Sequence, residues 1–152
     1  MDDVYFDADD ESFLLRRLKD CPEIFAAIAA STPSQLSNQR RLRETYDEDL
    51  VRAALQVHEG RQRAAGFLPN ADQLWLTRVG LEQCTALEVA THKAKRFSNC
   101  DSVFDLCCGV GVDASAIAEH TKVTAMDAAA AMCLRTEWNA AIWDRADNIQ
   151  TH

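Results

Sequence analysis

Apolar positions recur at helical spacing through the first half of the chain: Phe13, Leu14 and Leu18, then Ile24, Phe25 and Ile28, then Leu50, Ala54, Leu55 and Val57. Stripes that return every three or four residues predict amphipathic helices over about 11–66. Pro22 suits a first helical turn, Pro33 breaks the chain after an Ala-rich stretch, and Asp47 stands where an N-cap would open a helix running toward Gly66. Gly66 reads as the stop of that helix. The run Leu74-Trp75-Leu76-Thr77 predicts a short strand, and Thr85-Ala86-Leu87-Glu88 has the spacing of a capping box that opens a helix to about Phe97.

At Ser102 the period changes. Residues 102–106 predict a buried strand, 112–120 a helix, 122–126 a second strand and 129–143 a second helix, with 148–152 as the entry to a third strand. A βαβα unit of this kind makes parallel strands joined by a right-handed crossover, and parallel strands need both faces covered. The expected fold is α/β, with a helical N-terminal region over 1–100 followed from 101 by a truncated Rossmann-like βαβα unit.

Composition changes the picture only in part. The 152 residues are 47% apolar and 26% charged with a net charge of −8, which disfavours nucleic-acid binding by bulk electrostatics. The acidity is concentrated in residues 1–23, and the sign reverses around Arg78, Lys93, Lys95 and Arg96. A local basic face is therefore compatible with the sequence. No window of about 18 apolar residues and no basic leader followed by an apolar stretch occurs, so a cytoplasmic protein without membrane contact is expected. The six cysteines form no C-x-x-C pair and have no partnered histidine spacing, which predicts reduced thiols and no metal.

The candidate chemistry lies in Asp105-Leu106-Cys107-Cys108-Gly109-Val110-Gly111-Val112-Asp113-Ala114. Glycine at 109 and 111 allows a sharp turn at the carboxyl end of a strand and leaves the main chain open to a ligand, while Ala114 takes the third small position of G-x-G-x-x-A. Asp127 follows sixteen residues after Gly111 at the end of the second strand, where a carboxylate can accept from both hydroxyls of a ribose. Together these residues point to an adenosine-containing ligand. A dinucleotide would bring its pyrophosphate toward Asp105, and the two would repel. S-adenosylmethionine brings an ammonium and a sulfonium instead, which a carboxylate stabilises. Two plainer readings stand beside these: Asp105 as a cap of the turn and Asp127 as a strand-end turn residue.

At these residues the chain resembles the first motif of class I S-adenosylmethionine-dependent methyltransferases, in the variant with Cys before Gly. That variant belongs to the trimethylguanosine synthase relatives and to the bacterial THUMP-like group. Thr77 to Thr85 with Val89-Ala90-Thr91-His92, and the helical stretch Gln39 to Ala65, are similar to the bacterial group's upstream regions, so the resemblance spans roughly 35–152. It implies a cofactor site built from Asp105, Cys107, Gly109, Gly111, Asp113, Asp127 and Thr85, with Asp105 and Asp113 near the methionine amino group. Cys107 and Cys108 read as small turn-packing residues, Asp113 and Thr85 equally as helix caps, and Asn139 as a packing or hydrogen-bonding residue. Trp75 and Trp143 read as core, and His92 as a solvated side chain.

The family's acceptor motif, Asn/Asp-Pro-Pro-aromatic after the fourth strand, does not occur in this sequence. The resemblance therefore implies the N-terminal portion of an enzyme that acts on RNA, inactive alone because the acceptor wall is lacking. Self-association through an uncovered strand edge is a further expectation. Two other readings are a partner-binding helical module with a vestigial nucleotide fold and an NAD-type oxidoreductase fragment, the latter disfavoured by Asp105.

Overall fold

The computed structural model describes residues 8–30 and 40–152. Pro33 and the first seven residues lie outside the described residues. The helical half contains α1 (Ala8–Lys19), α2 (Glu23–Ala29) and α3 (Glu48–Ala64). Pro22 stands at the N-cap of α2 with φ −65°, a helical value its ring imposes. Asp47 does occupy the N-cap position of α3, but its carboxylate pairs with Arg17 of α1 and caps no amide. Gly66, at φ +93°, stands in the left-handed region just past the end of α3, the conformation that helix stops favour.

The expected strand at 74–77 is not a strand. The segment is extended and buried at Leu74, Trp75 and Leu76, yet its main-chain groups are met by side chains. The Arg61 guanidinium donates to the carbonyls of Leu74 (2.8 Å) and Gln73 (3.0 Å), and Asn139 takes both main-chain groups of Trp75. Thr77 belongs to the next element as the N-cap of α4 (Arg78–Gln83), its hydroxyl accepting from the Gly80 N–H at 2.9 Å. Helix α5 (Leu87–Ala94) follows, and a 3₁₀ turn extends it to Phe97.

Strand β1 (Ser102–Asp105), helix α6 (Val112–Ile117), strand β2 (Lys122–Ala125), helix α7 (Ala130–Ile142) and strand β3 (Ile149–Thr151) complete the described chain. The three strands form a parallel sheet in the order β1-β2-β3, with Val103 beside Val123 and Val123 beside Ile149. Those residues face α6 and α7 and join one core with Leu74, Leu76, Ala90 and Ala94. The expectation of a buried β1 fails: Val103 and Asp105 are only half-buried, and Phe104 on the other face is 66% exposed.

Helix α7 is the wall between two cores. Cys133 packs toward the sheet, while Ala131, Leu134 and Trp138 face α1 and share a second core with its Leu15 and Leu18 and with Val51 and Ala54 of α3. Burial on several sides explains why α7 carries buried polar residues that find partners within the protein, Thr136 and Asn139 among them. Trp75 meets Trp138 edge-on at 4.7 Å and Phe25 at 6.0 Å, so Trp75 is a core residue. Trp143 donates its indole N–H to the Pro69 carbonyl at 3.0 Å, and His92 is exposed.

Candidate functional site

The carboxyl ends of β1 and β2 bring Asp105 and Asp127 to one end of the sheet, with the glycine turn between β1 and α6 beside them. The ladder continues past the strand ends: Met126 N–H donates to the Asp105 carbonyl at 2.7 Å and Cys108 N–H to the Met126 carbonyl at 2.9 Å. These bonds hold the turn against β2. Gly111 N–H then donates to the Cys108 carbonyl at 2.9 Å, and α6 begins.

The two glycines do different jobs. Both have positive φ, +55° at Gly109 and +88° at Gly111, which glycine adopts without the strain of a Cβ. A Cβ at Gly111 would stand 3.1 Å from the backbone and side chain of Thr136, so this glycine lets α7 pack against the turn. A Cβ at Gly109 would meet nothing within 4 Å. Gly109 is therefore the one whose surface is open to a ligand. The Thr136 hydroxyl donates to the Gly109 carbonyl at 3.0 Å and steadies that open surface from behind.

Asp127 is anchored at both oxygens: the Gly109 N–H donates to one at 3.0 Å and the Ala129 N–H to the other at 3.0 Å. Asp127 thus serves the local turn, as its plainer reading expected. Each carboxylate oxygen keeps acceptor capacity, so the same fixed group can still take hydroxyl donors. Asp105 accepts from the Cys107 N–H at 3.3 Å, which makes it also a cap of the turn. Burial pushes the Asp105 carboxyl above its usual range; the Cys107 N–H and Lys93 draw it back, and Asp113 and Asp127 push it further up.

Thr85 does not cap α5. Its hydroxyl donates to Asp113, and the N-cap position falls to Ala86, which offers no side chain for the purpose. The Lys93 ammonium donates to the other Asp113 oxygen at 2.8 Å. The structure therefore joins Thr85 with Asp113 and adds Lys93, which sequence reasoning had counted only as part of a basic stretch. Its place in the site comes from the packing of α5 beside α6, which no local pattern signals.

Cys107 is exposed beside Asp105, whereas Cys108 is buried and its thiol is pushed up to about 12, chiefly by burial. Cys108 is a packing residue. The Cys84 thiol, near Asp113, is also raised, first by burial and then by that carboxylate. Among the described residues no group of three or more His, Cys, Asp or Glu side chains is placed to hold a metal ion. A separate groove of about 310 Å³ runs between α5, α6 and the end of α7, lined in part by Leu87, Thr91, Val112 and Ser115. Trp143 also lines it, but none of the proposed cofactor-site residues does.

No family model matches the chain, and no curated protein matches it. Among solved structures the chain is similar to the crystal structure of a "putative methyltransferase from Porphyromonas gingivalis W83", with 15% identity and a TM-score of 0.61. The likeness covers 98% of this chain and 36% of that one, so the chain spans about a third of that protein's length. At this identity the likeness is one of fold, and the protein has a methyltransferase-like fold of helices around a small parallel sheet. No helix among the described residues is long and apolar enough to cross a membrane.

Proposed function

We propose that the chain binds S-adenosylmethionine at the β1–α6 turn and forms the cofactor-binding portion of a class I methyltransferase, the start of a Rossmann-like domain. The observation that carries this reading is that Asp105 and Asp127 are held by N–H groups of the turn whose Gly109 surface is open, with Asp113 close enough for its charge to act on Asp105. Three carboxylates would repel a pyrophosphate and attract an ammonium and a sulfonium. The residues present fit the group: Asp127 keeps acceptor capacity for ribose hydroxyls, and Asp105 and Asp113 can take the amino group.

The bound cofactor would supply an electrophilic methyl group. What the chain itself does is hold and orient: Thr136 and Asp127 fix the Gly109 main chain, Thr85 fixes Asp113, and the Cys107 N–H fixes Asp105. Preorganised groups of this kind reduce the ordering cost of binding. The acceptor we propose for the whole enzyme is RNA, on the family resemblance of the sequence, with the cytoplasm as its location. In-line transfer needs an acceptor wall, so this chain by itself is proposed to bind without turning over.

Calorimetric titration with S-adenosylhomocysteine tests the reading. Binding should be detected with the wild-type chain and should weaken on Asp127→Asn; no heat, or equal affinity in the variant, refutes it. A second reading, a non-catalytic module that associates through its sheet, draws on Phe104 and Leu106, both large, apolar and exposed along the β1 edge. Sedimentation of wild type and Phe104→Lys separates the two: a self-associating wild type dispersed by the substitution supports the second reading.

A further inference from the structure

The candidate site contains one cation among its carboxylates. Lys93 reaches in from α5, its ammonium 2.8 Å from Asp113 and close enough for its charge to act on Asp105, while its side chain is 44% exposed. A site built for a purely cationic ligand gains nothing from an ammonium at its mouth, since like charges repel. A site built for a zwitterion does. An α-amino acid presents an ammonium and a carboxylate on one carbon, and Asp105, Asp113 and Lys93 supply the complement of both.

We infer that Lys93 is a specificity residue that binds the carboxylate of an α-amino-acid group whose ammonium is held by Asp105 and Asp113. The inference rests on the ligand proposed above and adds to it the end of the ligand that is read. Three features support the exchange this requires. The Lys93–Asp113 pair is partly solvated, and such pairs contribute at most about 1 kcal/mol, so it opens readily. Lysine has a long flexible stem and three donors, so Lys93 can turn from one carboxylate to another nearby. Asp113 keeps the Thr85 hydroxyl when Lys93 turns away, and so remains oriented for the incoming ammonium. Without ligand, the same lysine screens Asp113 from the neighbouring carboxylates.

The test compares two ligands on the full chain. S-adenosylhomocysteine carries the α-amino acid, and 5′-methylthioadenosine has the same nucleoside without it. Lys93→Met should weaken S-adenosylhomocysteine by about tenfold or more and change 5′-methylthioadenosine by less than about twofold, while Lys93→Arg should bind both nearly as the wild type does. Lys93 is partly exposed, and matching melting curves would establish that the variants fold. Equal or tighter binding of S-adenosylhomocysteine by Lys93→Met would mean that Lys93 only neutralises Asp113; that overturns the inference and leaves the proposed ligand standing. A wild type that binds neither compound overturns both.

Discussion

The side-chain amide of Asn139 takes both main-chain groups of Trp75, accepting the N–H at 2.7 Å and donating toward the carbonyl at 3.3 Å. The same amide nitrogen donates to the Val110 carbonyl in the glycine turn at 2.9 Å. One buried residue of α7 thereby replaces the strand that the 74–77 segment would otherwise need, and ties that segment to the candidate site. Asn139→Leu keeps a side chain branched at Cγ, adds some volume, and removes every one of these bonds. It leaves a donor and two acceptors buried, each costing about 1–3 kcal/mol, so a total loss of about 3 kcal/mol or more is expected in urea denaturation. A loss below about 1 kcal/mol would mean that water reaches these groups.

Paired substitutions at the glycines separate folding from binding. Gly109→Ala places a Cβ in open space at φ +55° and should cost only about 1 kcal/mol of backbone strain. Its main effect should be weaker S-adenosylhomocysteine binding, because the methyl group covers the open surface. Gly111→Ala adds a contact at 3.1 Å with the Thr136 backbone to the strain of φ +88°, and should cost about 2–4 kcal/mol. Chemical denaturation with calorimetric titration checks both. Equal destabilisation by the two substitutions would contradict the division of roles.

The parts legible in the sequence are those that local physics decides. The stripes of Leu14, Leu18, Ile24 and Ile28 locate α1 and α2, and the apolar runs on either side of Gly109 and Gly111 locate β1, α6 and β2. The failures share a cause, which is a partner distant along the chain. Trp75 lies in a short apolar run, yet Asn139, 64 positions away, satisfies its backbone. Thr85 has capping-box spacing, but α5 opens one residue later, with Ala86 at its N-cap, and the Thr85 hydroxyl donates to Asp113. Helix α4 has only six residues, too few to show a helical period, and Phe13 fits a stripe yet is exposed. Of the site, the carboxylates and glycines were legible as a motif, whereas Lys93 required knowing that α5 packs beside α6.

Arg135 is buried in α7 and pairs with Glu11 of α1 at 2.8 Å, joining residues 124 positions apart. Burial lowers the guanidinium's affinity for its proton, and Glu11 opposes that. Glu11→Ala leaves a buried cation whose remaining bond among the described residues is a 3.3 Å donation to the Ala131 carbonyl. Because Glu11 is itself partly solvated, the expected loss is about 2–3 kcal/mol, below that of a fully buried pair. Arg135→Met, which removes the charge and keeps an apolar stem, should cost less than Glu11→Ala in the same denaturation measurement. The reverse order would show that the pair contributes through its attraction and not through the avoidance of an unpaired charge.

Asp105 sets function against stability, and pH exposes the conflict. Burial raises its carboxyl above the usual value of 3.8, so the folded state binds its proton more tightly than the unfolded state does. Stability therefore falls as pH rises from below 4 through the raised value, and the cost is present in full above it. Asp105→Asn removes that titration. The variant should melt higher than wild type near neutral pH, and the difference should shrink toward zero at about pH 3, where both side chains are neutral. The same substitution should weaken S-adenosylhomocysteine by about tenfold, since a neutral amide cannot match a carboxylate against an ammonium. Melting curves across this range and titration at neutral pH measure the two effects together. A wild type that melts above the variant near neutral pH, with the gap closing as pH falls, would mean that the Cys107 N–H outweighs burial and that the ionised carboxylate stabilises the turn. A variant that melts higher at neutral pH and binds the ligand as tightly as wild type would keep the electrostatic cost of Asp105 and remove its proposed purpose.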